Sequence, residues 1–186
     1  MFSYKIDEEV SLHLLQKHHA EEVFELVDKN RAYLREWLPW VDDMTSPEQY
    51  DTLLPMWLHQ FADHNGFNAG IRYKGKLVGM IGLHAIDWAN RKTSIGYFIA
   101  EEAQGKGIIT KSVKAVLDYV FRELGLNRVE IRCGVHNKKS RAIPERLGFV
   151  QEGIIHDGEW LYDHFHDLVV YSMLAKDWLM TETTAL

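Results

Sequence analysis

Two glycines one residue apart, Gly105 and Gly107, lie between an apolar run and a strongly amphipathic segment. No other feature of the chain constrains its fold as much. Residues 93–100 read as a strand. After the glycines, Ile109, Val113, Val116, Leu117, Val120 and Leu124 recur at helical spacing and make one apolar stripe. Glycine lets the backbone turn sharply and approach a ligand closely. The first turn of the helix that follows has N–H groups without intrahelical acceptors and a partial positive charge. Strand, glycine loop and helix start together predict an anion cradle, with a phosphate or pyrophosphate as its guest.

Two familiar phosphate loops do not fit. A P-loop requires glycine, any four residues, then Gly-Lys-Ser/Thr. Here Gly105-Lys106 is followed by Gly107, and the leading position is Ala100. A dinucleotide fingerprint requires a third glycine, and Thr110 occupies that position. Strand–helix units also do not alternate regularly along the chain, as a doubly wound domain requires.

The rest of the chain reads as a mixed α+β protein. Residues 11–15 form a short strand, and residues 20–30 a helix carrying Ala20, Val23, Phe24 and Val27 on one side. A second helix carries Tyr33, Leu34, Trp37 and Leu38 and ends at Pro39. Ser46-Pro47-Glu48-Gln49 is a helix start with a capping box, and the helix runs towards His64. Residues 67–73 and 77–86 form a hairpin around Lys74-Gly75-Lys76, and a third strand follows. Beyond the long helix come a strand at 128–135, a helix at 138–146 and strands at 149–155 and 167–174.

Composition narrows the function classes. The chain of 186 residues is long enough for one domain with a sizeable core. A net charge of −6 argues against direct binding to nucleic acid and suits a cationic partner. The single cysteine, Cys133, cannot form an intramolecular disulfide and fits a reducing compartment. The charged start Met1-Phe2-Ser3-Tyr4-Lys5-Ile6-Asp7 does not read as a secretory leader. No apolar run reaches the roughly eighteen residues of a membrane span. A cytoplasmic protein that engages no membrane is expected.

A third kind of loop does fit. Gln104-Gly105-Lys106-Gly107-Ile108 resembles the Gln/Arg-x-x-Gly-x-Gly/Ala pyrophosphate loop of coenzyme-A-dependent acyltransferases, with Ile109 in place of the last small residue. Further on, Asn137-Lys138-Lys139-Ser140 followed by Leu147-Gly148-Phe149 resembles the Asn-x-x-Ser and Leu-Gly-Phe block of the GNAT superfamily of N-acetyltransferases. Leu34-Arg35-Glu36-Trp37-Leu38-Pro39-Trp40 resembles a segment of its RimJ/RimL-type branch, the ribosomal-protein N-acetyltransferases.

The resemblance covers essentially the whole chain and implies one acetyltransferase domain over residues 1–186. It implies a GNAT-type α+β fold: a mixed central sheet, mostly antiparallel with one splayed parallel strand pair, and helices on both faces. Acetyl-CoA is the implied cofactor. The backbone of Gln104, Gly105, Lys106, Gly107, Ile108, Ile109 and Thr110 would hold its pyrophosphate, and Lys106 could add charge. Tyr97, Phe98 and Ile99 would lie along the pantetheine, with the N–H of Phe98 or Ile99 on the thioester oxygen. Asn137 and Ser140 would touch the cofactor, and Asn137 could equally cap the helix that follows. The resemblance makes Ser140 the acid for the leaving thiolate. An alcohol is a poor acid beside a thiol, so orienting a proton or water suits Ser140 better. Glu159, beside Trp160, is the implied general base, with burial against the indole as a way to favour its protonated form, and a water chain is the alternative for an α-amine acceptor. Trp37 and Trp40 would line the acceptor side, whereas Trp57 belongs to an apolar helix stripe.

Two other groups invite chemistry. His156, Asp157, Asp163, His164, His166 and Asp167 crowd together, yet without a compact metal-ligand spacing, so no metal is expected. Cys133 sits in an apolar strand and reads as a buried thiol, which favours direct transfer in a ternary complex over a covalent intermediate. The expected activity is acetylation of a primary amine, with the N-terminal α-amine of a protein as acceptor. Acetylation of a small amine (a polyamine, an amino acid or an aminoglycoside) and a non-catalytic acyl-CoA-binding module stay open. A homodimer is common in the branch.

Overall fold

The computed structural model describes residues 2–183. Eight strands form one mixed sheet in the order β1-β2-β3-β4-β5-β6-β8-β7. They are β1 (Ser3–Lys5), β2 (Val10–Leu14), β3 (Phe67–Tyr73), β4 (Lys76–Leu83), β5 (Lys92–Ile99), β6 (Arg128–Gly134), β7 (Val150–Leu161) and β8 (His164–Leu174). The helices are α1 (Ala20–Lys29), α2 (Arg31–Arg35), α3 (Tyr50–Ala62), α4 (Ile108–Asp118), α5 (Lys138–Arg146) and α6 (Ala175–Thr183). β5 and β6 are the parallel pair. Their ladder comprises Lys92↔Arg128, Thr93↔Val129 and Ser94↔Glu130, and both strands run on beyond it. The expected α+β architecture is the observed one.

The chain divides into two compact units, Met1–Gly82 with Tyr97–Ser112, and Leu83–Gly96 with Val113–Leu186. In the first, Val10, Val23, Val27, Leu54 and Ile71 are buried to within 1% exposure and make the core. Arg72 of β3 grips Glu22 of α1 through two hydrogen bonds of 2.7 and 2.6 Å. The hairpin turn at Lys74-Gly75 has φ of +50° and +82°, the pair of left-handed residues that a tight two-residue hairpin needs. The Ser46/Gln49 capping box forms as the sequence predicts, ahead of α3.

The second unit buries Val113, Leu117, Val120, Val129, Ile131, Val169 and Tyr171. Here the structure departs from the sequence reading. The strands expected at 149–155 and 167–174 are longer and form one long hairpin closed at Tyr162-Asp163. Register shifts between Gln151 and Gly153 and between Ile155 and Glu159 interrupt the ladder, and bulges blur the two-residue alternation that would reveal such a strand. β1 and α6 are unforeseen as well. The second helix ends at Arg35, short of Pro39, and the chain continues through a turn in which Leu38 N–H donates to Leu34 O at 2.9 Å.

Candidate active site

In the first unit, the segment after β5 is held by its backbone. Ala100 N–H donates to Val78 O of β4 at 2.7 Å, and Glu101 N–H to Asn30 Oδ1 at 3.0 Å. Along a strand, N–H groups alternate between the two edges. The N–H of Phe98 therefore lies on the β4 edge with that of Ala100, whereas the N–H of Ile99 points to the other edge. Gly105 and Gly107 follow with φ of +72° and +71°. A Cβ placed on either would meet nothing within 4 Å. Internal packing therefore does not demand glycine at these positions. Their left-handed backbone does, and it leaves open space above the loop where a ligand can approach.

The first α4 bond shown from this turn is Lys111 N–H to Gly107 O at 3.0 Å, so the preceding N–H groups lie ahead of the helical ladder. Ile108 and Ile109 bury their side chains at 1% and 6% exposure. Burial explains why a large residue is tolerated where the loop pattern has a small one: the Ile109 side chain belongs to the core, and only its backbone faces outward chemistry. The Gln104 side chain bonds to Tyr33. Lys106 is exposed and turned back, with Nζ donating to Glu102 O at 3.0 Å and lying 5.5 Å from the Tyr73 ring centroid. Loop and helix start fit a diphosphate through backbone donors, with little help from side chains. Also in this unit, Trp40 lies 5.7 Å from Phe98 between ring centroids. Trp37 is half-buried in the turn after α2.

In the second unit, the start of α5 is built from side chains. Asn137 is the helix N-cap, its Oδ1 accepting from Ser140 N–H at 3.1 Å. That cap sets the first turn and places Ser140 Oγ 3.2 Å from Cys133 Sγ on β6. Cys133 is buried, as the apolar strand predicts. The same helix engages a residue that the sequence reading passes over. Arg141 Nε donates to Tyr171 Oη at 2.9 Å, and Tyr171 Oη donates to Glu145 Oε1 at 2.6 Å. Burial and the neighbouring Glu145 raise the pKa of the Tyr171 phenol, partly offset by Arg141. Tyr171 lies thirty residues from Arg141 in sequence and reaches it only because β8 pairs with β6.

Glu159 is not in a loop. It lies in β7 opposite His166 of β8, and its Oε2 is 2.9 Å from His166 Nε2. Trp160 does not desolvate it. Adjacent strand residues face opposite sides, and Trp160 is half-exposed, edge-on to Phe165 at 4.7 Å. Asp167 braces the bulge before Glu159, accepting from Asp157 N–H at 2.9 Å and bonding His156 at 3.0 Å. The crowded histidines and aspartates thus separate into pairs. Among the described residues no group of three or more His, Cys, Asp or Glu side chains could hold a metal ion.

A glycine-turned anion cradle at a helix start in the first unit and a serine set by a helix cap in the second are features of an acyl-transfer class of enzyme. Residues 9–150 match the family model described as an acetyltransferase (GNAT) domain, and the chain belongs to that family of N-acetyltransferases. YdaF of Bacillus subtilis (strain 168), provisionally named a ribosomal N-acetyltransferase, is 46% identical over 96% of this chain and 98% of its own. The ribosomal-protein-serine acetyltransferase of Escherichia coli (strain K12) is 29% identical over 91% of this chain and 95% of its own. The structure of RimL, a ribosomal L7/L12 α-N-protein acetyltransferase, in complex with coenzyme A superposes with a TM-score of 0.89 at 26% identity. That match covers 92% of this chain and 97% of RimL.

Proposed function

We propose that the protein, acting as one acetyltransferase domain, transfers an acetyl group from acetyl-CoA to the N-terminal α-amine of a protein, by direct attack in a ternary complex. The observation that carries the cofactor half is the left-handed Gly105/Gly107 pair with open space above it, at the start of α4. Likeness to relatives named for ribosomal-protein serine and α-N-protein acetylation supports the acceptor half. The single cysteine and the net charge of −6 suit a cytoplasmic enzyme with a cationic acceptor.

Bound acetyl-CoA supplies the acetyl group as an activated thioester. Backbone N–H groups from Gly105 to Thr110 receive its diphosphate. The N–H of Ile99 polarises the thioester oxygen, a donor already oriented before reaction. Its direction along β5 favours Ile99 over Phe98. Ser140, oriented by the Asn137 cap, guides a proton or water to the departing sulfur. Trp37 and Trp40 line the acceptor side. Glu159, already engaged by His166, acts as a fixed counter-charge for the incoming ammonium. An α-amine has a reference pKa of about 7.7–8.0, against about 10.4 for lysine, so an N-terminal acceptor needs less help to lose its proton.

The test is thiol release from acetyl-CoA with short peptides beginning in Ser or Ala, in competition with spermidine. Peptides should be acetylated on their α-amine and outcompete the polyamine. Preference for spermidine would move the protein to small-amine acetylation.

A further inference from the structure

His84 is the first residue after β4, and it folds onto β5 within the second unit. Its backbone N–H donates to Ser94 O at 3.0 Å, and its carbonyl accepts from Thr93 Oγ1 at 3.1 Å. The ring is fixed too, with Nδ1 2.8 Å from Ser94 Oγ. Two residues along β5 comes Gly96. A Cβ there would stand 3.0 Å from both Cε1 and Nε2 of His84, so the ring would have to shift by a few tenths of an ångström. The imidazole thus occupies the space that any other residue at 96 would fill. Ser94 is also the last β5 residue paired with β6. The ring therefore lies over the stretch of β5 from Ser94, where the β6 ladder ends, to Gly96.

The charged group facing the ring is Arg132 of β6, itself paired with Glu130 at 2.9 Å. From β5 the ring faces Ser94 and Gly96, neither of them charged. Burial of one side of the ring lowers its pKa below the ordinary histidine value, and Arg132 lowers it further. Both effects favour the neutral imidazole, whose other side is exposed. In the tautomer whose Nδ1–H donates to Ser94 Oγ, the lone pair sits on Nε2, which has no hydrogen-bond partner among the described residues.

We propose that His84 Nε2 accepts the proton of the acceptor amine, with Ser94 holding the tautomer and Gly96 making room for the ring. The proposal rests on the amine-acetylation reading above. In the step the amine nitrogen forms a bond to the acetyl carbon and the carbon–sulfur bond breaks. One proton leaves nitrogen for His84 Nε2, and one reaches the sulfur on the Ser140 side. No other reactant is needed. At neutral pH much of an α-amine is its ammonium form, so a neutral imidazole removes that first proton and frees the lone pair. The second proton leaves as the new bond forms and is the one delivered to sulfur.

The experiment compares kcat/KM across pH for wild type, His84→Gln, His84→Ala, Gly96→Ala and Glu159→Gln, with a Ser-initiated peptide. Calorimetry reports acetyl-CoA affinity, and circular dichroism reports folding. His84→Gln should lower kcat about 100-fold near neutral pH, with acetyl-CoA affinity unchanged. The defect should shrink above about pH 8, where the α-amine has lost its proton unaided. Added imidazole should restore part of the rate to His84→Ala and none to Glu159→Gln. Gly96→Ala, which displaces the ring without removing it, should lower kcat in the same pH-dependent way. Wild-type kcat in folded His84→Gln or Gly96→Ala, or a pH-dependent loss confined to Glu159→Gln, overturns the proposal. If wild type acetylates spermidine and not the peptide, the acceptor assignment fails, and the same comparison on spermidine still decides the role of His84.

Discussion

The glycine loop of the first unit and the start of α5 in the second are built by opposite means. The loop works through its backbone: Gly105 and Gly107 contribute no side chain, Ile108 and Ile109 bury theirs, and Lys106 turns back to Glu102. At α5, Asn137, Ser140, Arg141 and Glu145 each act through a side chain, on partners as distant as Tyr171. A backbone site is damaged by adding atoms, whereas a side-chain site is damaged by removing them. Loss of one donor among several parallel N–H groups can also be shared, while a cap or a serine hydroxyl has no substitute.

The comparison breaks first at Gly107. Gly107→Val should weaken acetyl-CoA binding by about 100-fold or more, because it forfeits one or two charge-assisted hydrogen bonds worth about 1.5–3 kcal/mol each. A left-handed β-branched residue should also cost the fold about 1–2 kcal/mol. Calorimetry and thermal melting separate the two effects. Unchanged affinity in a folded variant would remove the backbone-cradle assignment. Ser140→Ala comes next, with an expected fall in kcat of about 10–100-fold and little change in the acetyl-CoA KM, since its help belongs to the transition state. Rapid-quench measurement of a single turnover would show whether chemistry is the affected step.

Asn137→Ala should be milder for catalysis and visible in stability. Loss of an N-cap costs about 1 kcal/mol, and Asn137→Asp should keep most of it. Urea unfolding of both variants, beside the acetyl-CoA KM of each, tests whether the cap alone explains the residue. A raised KM in a fully stable Asn137→Asp would give Asn137 a direct role toward the cofactor.

The smallest expected effect is electrostatic. Asp7 in the first unit is held at a pKa of about 2 by its hydrogen bond with Lys111 and by backbone donors. Glu152 in the second is held at about 2 by Arg128 and Ser172. A carboxylate whose folded pKa is depressed adds stability above its unfolded pKa, and that stability is lost as pH falls through the folded value. Stability should therefore decline between roughly pH 4.5 and pH 2. Glu152→Gln should flatten that decline while leaving the Asp7 share. Denaturant midpoints across that range provide the measurement.

Much of the fold was legible because its signals are local. The Lys74-Gly75 hairpin, the Ser46 capping box, the α5 boundaries and the buried stripe of α4 depend on residues a few positions apart. The candidate site was legible in the same way where it is local, at Gly105–Gly107 and at the Asn137/Ser140 cap. Glu159 was named, but its place in a strand was not legible. Its setting depends on bulges in β7, and a bulge changes which residue opposes which by means no short window reveals.

The sequence by itself determined the backbone devices: a left-handed glycine pair, a helix cap and the turn residues, each satisfied within a single stretch of chain. It also determined membership of the acetyltransferase family, because those devices occur in one order. Only the tertiary structure decided which side chains meet. β6–β8 pairing brings Tyr171 to Arg141 and Glu145. The bulged β7–β8 register sets Glu159 on His166 and leaves Trp160 half-exposed against Phe165. The turn out of β4 lays His84 over Gly96. A strand's partner and register are set by the burial of whole faces across distant segments, and a one-residue shift sends every side chain to the other face. No run of neighbouring residues carries that information.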